Sequence, residues 1–175
     1  MIISRCKTIS ILIGLSISIS AQAETYAAVD KNSCEKMINS QAPFILVLNK
    51  GDKLHESITN CANDANLKAA SISGLGQVQD PVLAYFSSDP QEKPTLTQLE
   101  GFYELASLNG NITSNNGQHY THIHGTLADQ KFQGIAGHFE SATVGLTVEI
   151  TIVPFAGNVE REVDGKTGFG PIITR

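Results

Sequence analysis

An α+β domain, a mostly antiparallel sheet packed with one main helix, is the fold class this sequence predicts, on three observations. Helical periodicity is confined to one stretch near the start, residues 52–66. From Ala70 onward the apolar residues follow β patterns, clearest at 144–152, where they alternate strictly. No repeat, linker or composition break divides the chain, and its 175 residues suit one ordinary domain.

The elements follow in order. Arg5 and Lys7 precede an apolar run at 9–19 and the small-residue site Ala21-Gln22-Ala23, the pattern of a secretory signal peptide over residues 1–23. That run is about 11 residues, short of the roughly 20 that cross a bilayer. No later segment approaches that length, so no membrane span is expected. Cleavage near Ala23 predicts a periplasmic or secreted chain of 152 residues. Residues 24–41 are a polar leader with one helical turn around 34–38, and the domain is expected over 42–175. Residues 43–48 form a continuous apolar run that suits a strand buried on both faces. Asn49-Lys50-Gly51 breaks it, and Asp52 is placed to cap the following helix. Leu54, Ile58, Cys61, Ala62 and Ala65 recur there at helical spacing, and Asn66 is the expected stop. Strands are then predicted at 70–73, 81–86, 99–108, 120–127 and 144–153, with an exposed loop at 87–94. Leu146, Val148, Ile150 and Ile152 are assigned to one face. The Gly-rich tail after Phe155 is expected to be loosely ordered.

Charge and cysteine content narrow the function classes. The signal segment holds two of the 12 Lys and Arg and none of the 17 Asp and Glu. Ten basic residues against 17 acidic ones give the exported chain a net charge of −7, where the whole chain carries −5. Such a chain repels a phosphate backbone, so nucleic acid is not an expected partner. With 41% hydrophobic and only 17% charged residues, a packed core is expected. Cys6 leaves with the signal, and Cys34 and Cys61 remain as a pair in an oxidising compartment. A disulfide between them would contribute about 3 kcal/mol. Alternatively Cys61 packs in the helix as a small apolar residue and Cys34 stays free.

Three of the five histidines are placed to carry chemistry. His122 and His124 are i and i+2 on a predicted strand and project from one face, about 6.6–6.8 Å apart along it. His138 follows in the next β segment. A hairpin centred on Gln130 sets His122 opposite His138 and His124 opposite Ala136, so that all three rings converge. A register slip of one residue would send His138 to the other face. His119 and His55 are read as non-ligands, the first in the turn at 115–117 and the second solvated in the first turn of the helix. Three histidines with no fourth protein ligand nearby fit a divalent ion with an open coordination position, the pattern of catalytic rather than structural zinc. Glu104 and Glu149 are the strand carboxylates available as orienting partner or general base. The preferred alternative is that both form ion pairs or face solvent. No nucleophile elbow or P-loop occurs, and Gly74-Leu75-Gly76 is too short for a dinucleotide fingerprint.

Several ordered blocks together resemble the plants-and-prokaryotes-conserved (PPC) domain. They are 44–48 with Lys50-Gly51, Ser73-Gly74-Leu75-Gly76, 103–112, 122–129, Ala136-Gly137-His138, 148–150 and Asp164-Gly165-Lys166-Thr167-Gly168. The resemblance spans roughly 42–172. It implies an α+β fold assembled as a homotrimer, with His122, His124 and His138 as metal ligands. Ala136 stands where the family usually has the first glycine of a GGH block. The DNA-binding Arg-Gly-Arg-Pro hook of the plant members is missing. The expectation is therefore an exported, trimeric, metal-binding protein, with a small-molecule ligand near the metal. The alternative is a metal-dependent hydrolase or lyase, and a DNA-binding module ranks last.

Overall fold

The computed structural model describes residues 27–174 with the exception of residue 90. The expected signal peptide (1–23) and the first residues of the expected leader lie outside the described residues. The described chain is a mostly antiparallel sheet with a single α-helix. Its elements are β1 (Ala27–Asp30), a short 3-10 helix (Cys34–Met37), β2 (Phe44–Asn49), α1 (Leu54–Asp64), β3 (Ala69–Tyr85), β4 (Thr95–Gln98), β5 (Phe102–Asn115), β6 (Gln118–Ala128), β7 (Gly134–Phe155) and β8 (Glu160–Arg161).

The strands run in the order β1-β2-β7-β6-β5-β3-β4, and β7 also pairs with β3. That extra pairing closes β3, β5, β6 and β7 into a ring. β7 serves three partners because it is long. It pairs with β6 at 134–138, with β3 from His138 to Phe155, and with β2 at 147–152. Only β1 on β2 and β8 on β5 are parallel. The leader is thus part of the sheet, since β1 forms its edge.

α1 packs on β2, β6 and β7 with Leu54, Ile58, Cys61 and Ala62 fully buried. Asp52 does not cap it. Lys53 holds the N-cap position without a side-chain capping bond. The Asp52 carboxylate instead accepts from the Asn49 N–H at 2.8 Å and pairs with Lys31 at 3.1 Å, closing the turn before the helix. Asn66 takes a left-handed conformation (φ 50°) just past the helix end, which ends it as the sequence predicts. A disulfide joins Cys34 to Cys61, with a Cα separation of 5.2 Å, and ties the leader to α1.

Three expectations are corrected. β2 buries Phe44, Leu46 and Leu48 completely but leaves Ile45 and Val47 half-buried, so it faces the core on one side. The segments at 70–73 and 81–86 are one strand, β3, kept continuous through Gly74–Pro81 by register shifts against β5 and β7. Leu146 does not share the buried face of Val148, Ile150 and Ile152 and is 65% exposed. The cause is a bulge. Gly76 opposes Val148 while Val78 opposes Val144, so β7 spends two extra residues there and the alternation breaks.

The tail is ordered rather than loose. Glu162 N–H donates to the Pro171 carbonyl, Asp164 N–H to Phe169, and Ile173 N–H to Glu160, so residues 160–173 fold back as a flap. The flap ends against the face of the sheet that carries the histidines.

Candidate metal centre

Two hairpins build the histidine cluster. The first joins β5 to β6 through Asn116-Gly117, both with positive φ (51° and 77°), the backbone of a tight two-residue turn. It sets Asn111 opposite His122 and Asn109 opposite His124. The second joins β6 to β7 through residues 129–133. There the Asp129 carboxylate accepts from the N–H groups of Lys131 and Gln133, and the Phe132 N–H donates to the Asp129 carbonyl.

That loop is centred on Lys131, not Gln130. His138 therefore lies opposite His124, and Ala136 opposite Thr126. The expected register is off by two residues. A two-residue shift preserves the pleat parity, so all three rings still share one face. Ring centroids are 5.2 Å apart for His122 and His124, 5.0 Å for His122 and His138, and 5.3 Å for His124 and His138. One nitrogen from each lies within 4.8 Å of the others.

Two glycines make the close packing possible. A Cβ on Gly110 would stand 2.2 Å from the His122 carbonyl oxygen, and one on Gly125 would stand 2.4 Å from the Phe139 ring. Phe139 is fully buried beneath the cluster strands, and Phe86 meets the His138 ring edge-on at 5.2 Å.

The electrostatics favour neutral imidazoles. Burial, then the neighbouring His122 and His124, push His138 down to about 4. Burial and the adjacent Arg161 cation also lower His122. Neutral imidazole is the form that ligates a metal. Nδ1 of His138 is buried without a hydrogen-bond partner among the described residues. Such a lone pair is costly to leave unmet. Three imidazole nitrogen donors, one ring with an orphaned buried nitrogen, fit a divalent transition ion such as zinc.

Other histidines and carboxylates fall elsewhere. His119 sits at the start of β6, bonded to Asn63 Oδ1 at 2.6 Å and to the Leu67 carbonyl at 2.7 Å, so it docks the strand on α1. His55 is not solvated. Its ring is largely buried against the Phe139 backbone, and burial lowers its pKa. Glu104 is exposed, bonded by Gln77 Nε2 at 3.0 Å, and its strand partner is Ala128, far along β6 from His122 and His124. Glu149 is exposed opposite Val47 and Leu75 and lines a separate hollow with Ser107 and Asn109. Neither carboxylate lines the histidine cavity.

Arg161 is the residue that pattern reading missed. It is 7% exposed, although it stands between Glu160 and Glu162 in a polar tail. Its Nε donates to Thr113 Oγ1 at 2.9 Å. Nη2 donates to Asn111 Oδ1 at 2.9 Å and lies 3.1 Å from His122 Nδ1, and Nη1 donates to the Gly170 carbonyl. The guanidinium also lies 5.4 Å from the centre of the Tyr120 ring. Beside the histidines opens a cavity of about 430 Å³, walled by β3, β6, β7, Arg161 and the flap at 168–171. Nothing in a lone tail arginine signals this; only the flap's return to the sheet does.

The geometry can be set beside known proteins. A family model described as the Plants and Prokaryotes Conserved (PCC) domain matches residues 36–156. No curated protein matches the sequence significantly. Among solved structures, a protein of Ralstonia eutropha JMP134 named for a suspected DNA-binding role is 24% identical. The match covers 79% of this chain and 94% of that one, with a TM-score of 0.69. A plant- and prokaryote-conserved protein of Pyrococcus horikoshii is 22% identical, with 77% and 94% covered and a TM-score of 0.67. A metal-containing protein of Archaeoglobus fulgidus is 28% identical, with 76% and 94% covered and a TM-score of 0.68.

Proposed function

This chain belongs to the Plants and Prokaryotes Conserved domain family, and on that premise we propose that it is an exported, homotrimeric protein that binds one divalent metal ion through His122, His124 and His138. The observation that carries the reading is the convergence of three imidazoles, with one nitrogen of each within 4.8 Å of the others. The Archaeoglobus relative, described as metal-containing, supports it. Zinc is the leading candidate, because three nitrogen donors with a fourth position open is a zinc arrangement. When bound, such an ion supplies a Lewis acid facing the cavity.

The chain's own residues do the rest. β6 and β7 orient the rings, burial favours neutral His138 and His122, and Phe86 and the flap wall the cavity beside them. Elemental analysis of tag-free protein tests the reading. The wild type should carry roughly one ion per chain, and a His122→Ala, His124→Ala double variant almost none. Equal, near-zero metal in both would end it.

The cavity beside the histidines favours a second reading, a metal-dependent hydrolase or lyase acting on a small substrate. Turnover by the loaded protein that is abolished by chelation would establish it, and metal without turnover across broad substrate panels would leave a binding role. Export is supported by the N-terminal pattern and by the Cys34–Cys61 disulfide, which suits an oxidising compartment. The trimer is supported by the family and by exposed Leu75, Leu146 and Phe102 on β3, β7 and β5. Some structural relatives are named as DNA-binding. A net charge of −7 for the exported chain weighs against that role here.

A further inference from the structure

The histidine cavity has a composition that the metal alone does not account for. The chain is acidic, yet no Asp or Glu among the described residues lines this cavity. Among the described residues its one cation is Arg161, buried and bonded there only to neutral groups: Thr113, Asn111, His122 and the Gly170 carbonyl. A buried charge without a counter-charge is costly unless something compensates it. Four of the five guanidinium N–H groups are engaged, which fixes the group rigidly. One N–H on Nη1 is left over among the described residues. A divalent ion at the histidines would add positive charge beside it. The remaining walls are apolar or aromatic, from Ala84, Tyr85, Phe86, Phe169 and Pro171, and Tyr85 and Phe169 are 71% and 60% exposed.

We infer that the cavity binds a small organic carboxylate with an apolar or aromatic body, its carboxylate held between the metal and Arg161 and its body against Phe86 and Phe169. The inference rests on the metal-binding reading above. The remaining guanidinium N–H and its charge suit one carboxylate oxygen, the other facing the metal, and a volume of about 430 Å³ accommodates a ligand of roughly ten heavy atoms. A phosphate dianion would call for more donors than one partly engaged arginine supplies. A ligand without an apolar body would leave the aromatic wall wet.

Calorimetry on the zinc-loaded full chain tests this, with phenylacetate as the probe and phenylacetamide, phenethylamine, acetate and inorganic phosphate as comparators. Zinc content is measured on the same samples. Phenylacetate should bind at least about tenfold more tightly than every comparator. Arg161→Met should weaken it by at least about tenfold while zinc stays at wild-type stoichiometry. Because Arg161 is buried and its variant could fail to fold, Phe169→Ala at an exposed position gives a second readout. It should weaken phenylacetate about three- to tenfold and leave acetate unchanged. Full zinc with phenylacetate binding no tighter than the amide or phosphate would overturn the inference and leave the metal reading intact. Absence of zinc from the wild type would overturn the metal reading and this inference with it.

Discussion

At the scale of single residues, the site depends on where side chains are missing as much as on where they are present. Gly110 lets the His122 backbone approach β5, and a methyl group there would have to displace a main-chain carbonyl. Gly110→Ala should therefore cost about 1–3 kcal/mol in urea unfolding; an unchanged midpoint would contradict the packing described. His138 packs against the other two rings and Phe86. His138→Ala should lower zinc affinity by roughly a hundredfold or more, since even outer-shell changes cost 10–100-fold, and competition with a chromogenic chelator measures it. The buried histidines also set a pH dependence. His55, His122 and His138 all titrate below their ordinary value of 6.5 in the folded chain, His138 at about 4, chiefly because burial disfavours the charged ring. The unfolded chain then binds more protons than the folded one between about pH 6.5 and 4. Metal-free protein should be at full strength on this account above pH 6.5 and lose stability as the pH falls through that window. A thermal midpoint that rose on acidification would carry the wrong sign.

At the scale of elements, the β6–β7 hairpin explains both what could be read from the chain and what could not. Period-two spacing puts His122 and His124 on one face, and a short polar turn brings His138 back to them, so the cluster was legible. The register was not, because Asp129 closes a loop centred on Lys131 rather than Gln130. The error was harmless only because it was even. The span of β7 was hidden for a related reason: pattern reading tests one face at a time, and a 22-residue strand with three partners shifts register against β3 along its length. His55 and Arg161 were illegible because each is buried by a long-range contact, α1 on the sheet in one case and the flap returning to β5 in the other. The Cys34–Cys61 link, 27 residues apart, ties the leader to α1. Cys34→Ser with Cys61→Ala should lower stability by about 3–4 kcal/mol on the chain-entropy model; an unchanged unfolding midpoint would show that the leader docks without it.

At the scale of the whole molecule, fold class followed from the placement of one helix before many β segments, and the closed ring of β3, β5, β6 and β7 carries the three clustered histidines on its adjacent strands β6 and β7. Assembly and charge are the large-scale consequences open to test. Light scattering on the chain without residues 1–23 should give three times the monomer mass, and a monomer would refute the trimer. Duplex DNA should not be retarded by the protein even at roughly 50 mM salt, where phosphate contacts are strongest. The central claim is that His122, His124 and His138 hold one ion. Anomalous diffraction from crystals of tag-free protein, recorded on both sides of the zinc absorption edge, tests it most directly. The account predicts a single peak per chain, about 2.0–2.1 Å from one nitrogen of each histidine. A cluster without a peak, or a peak bound by other residues, would contradict it.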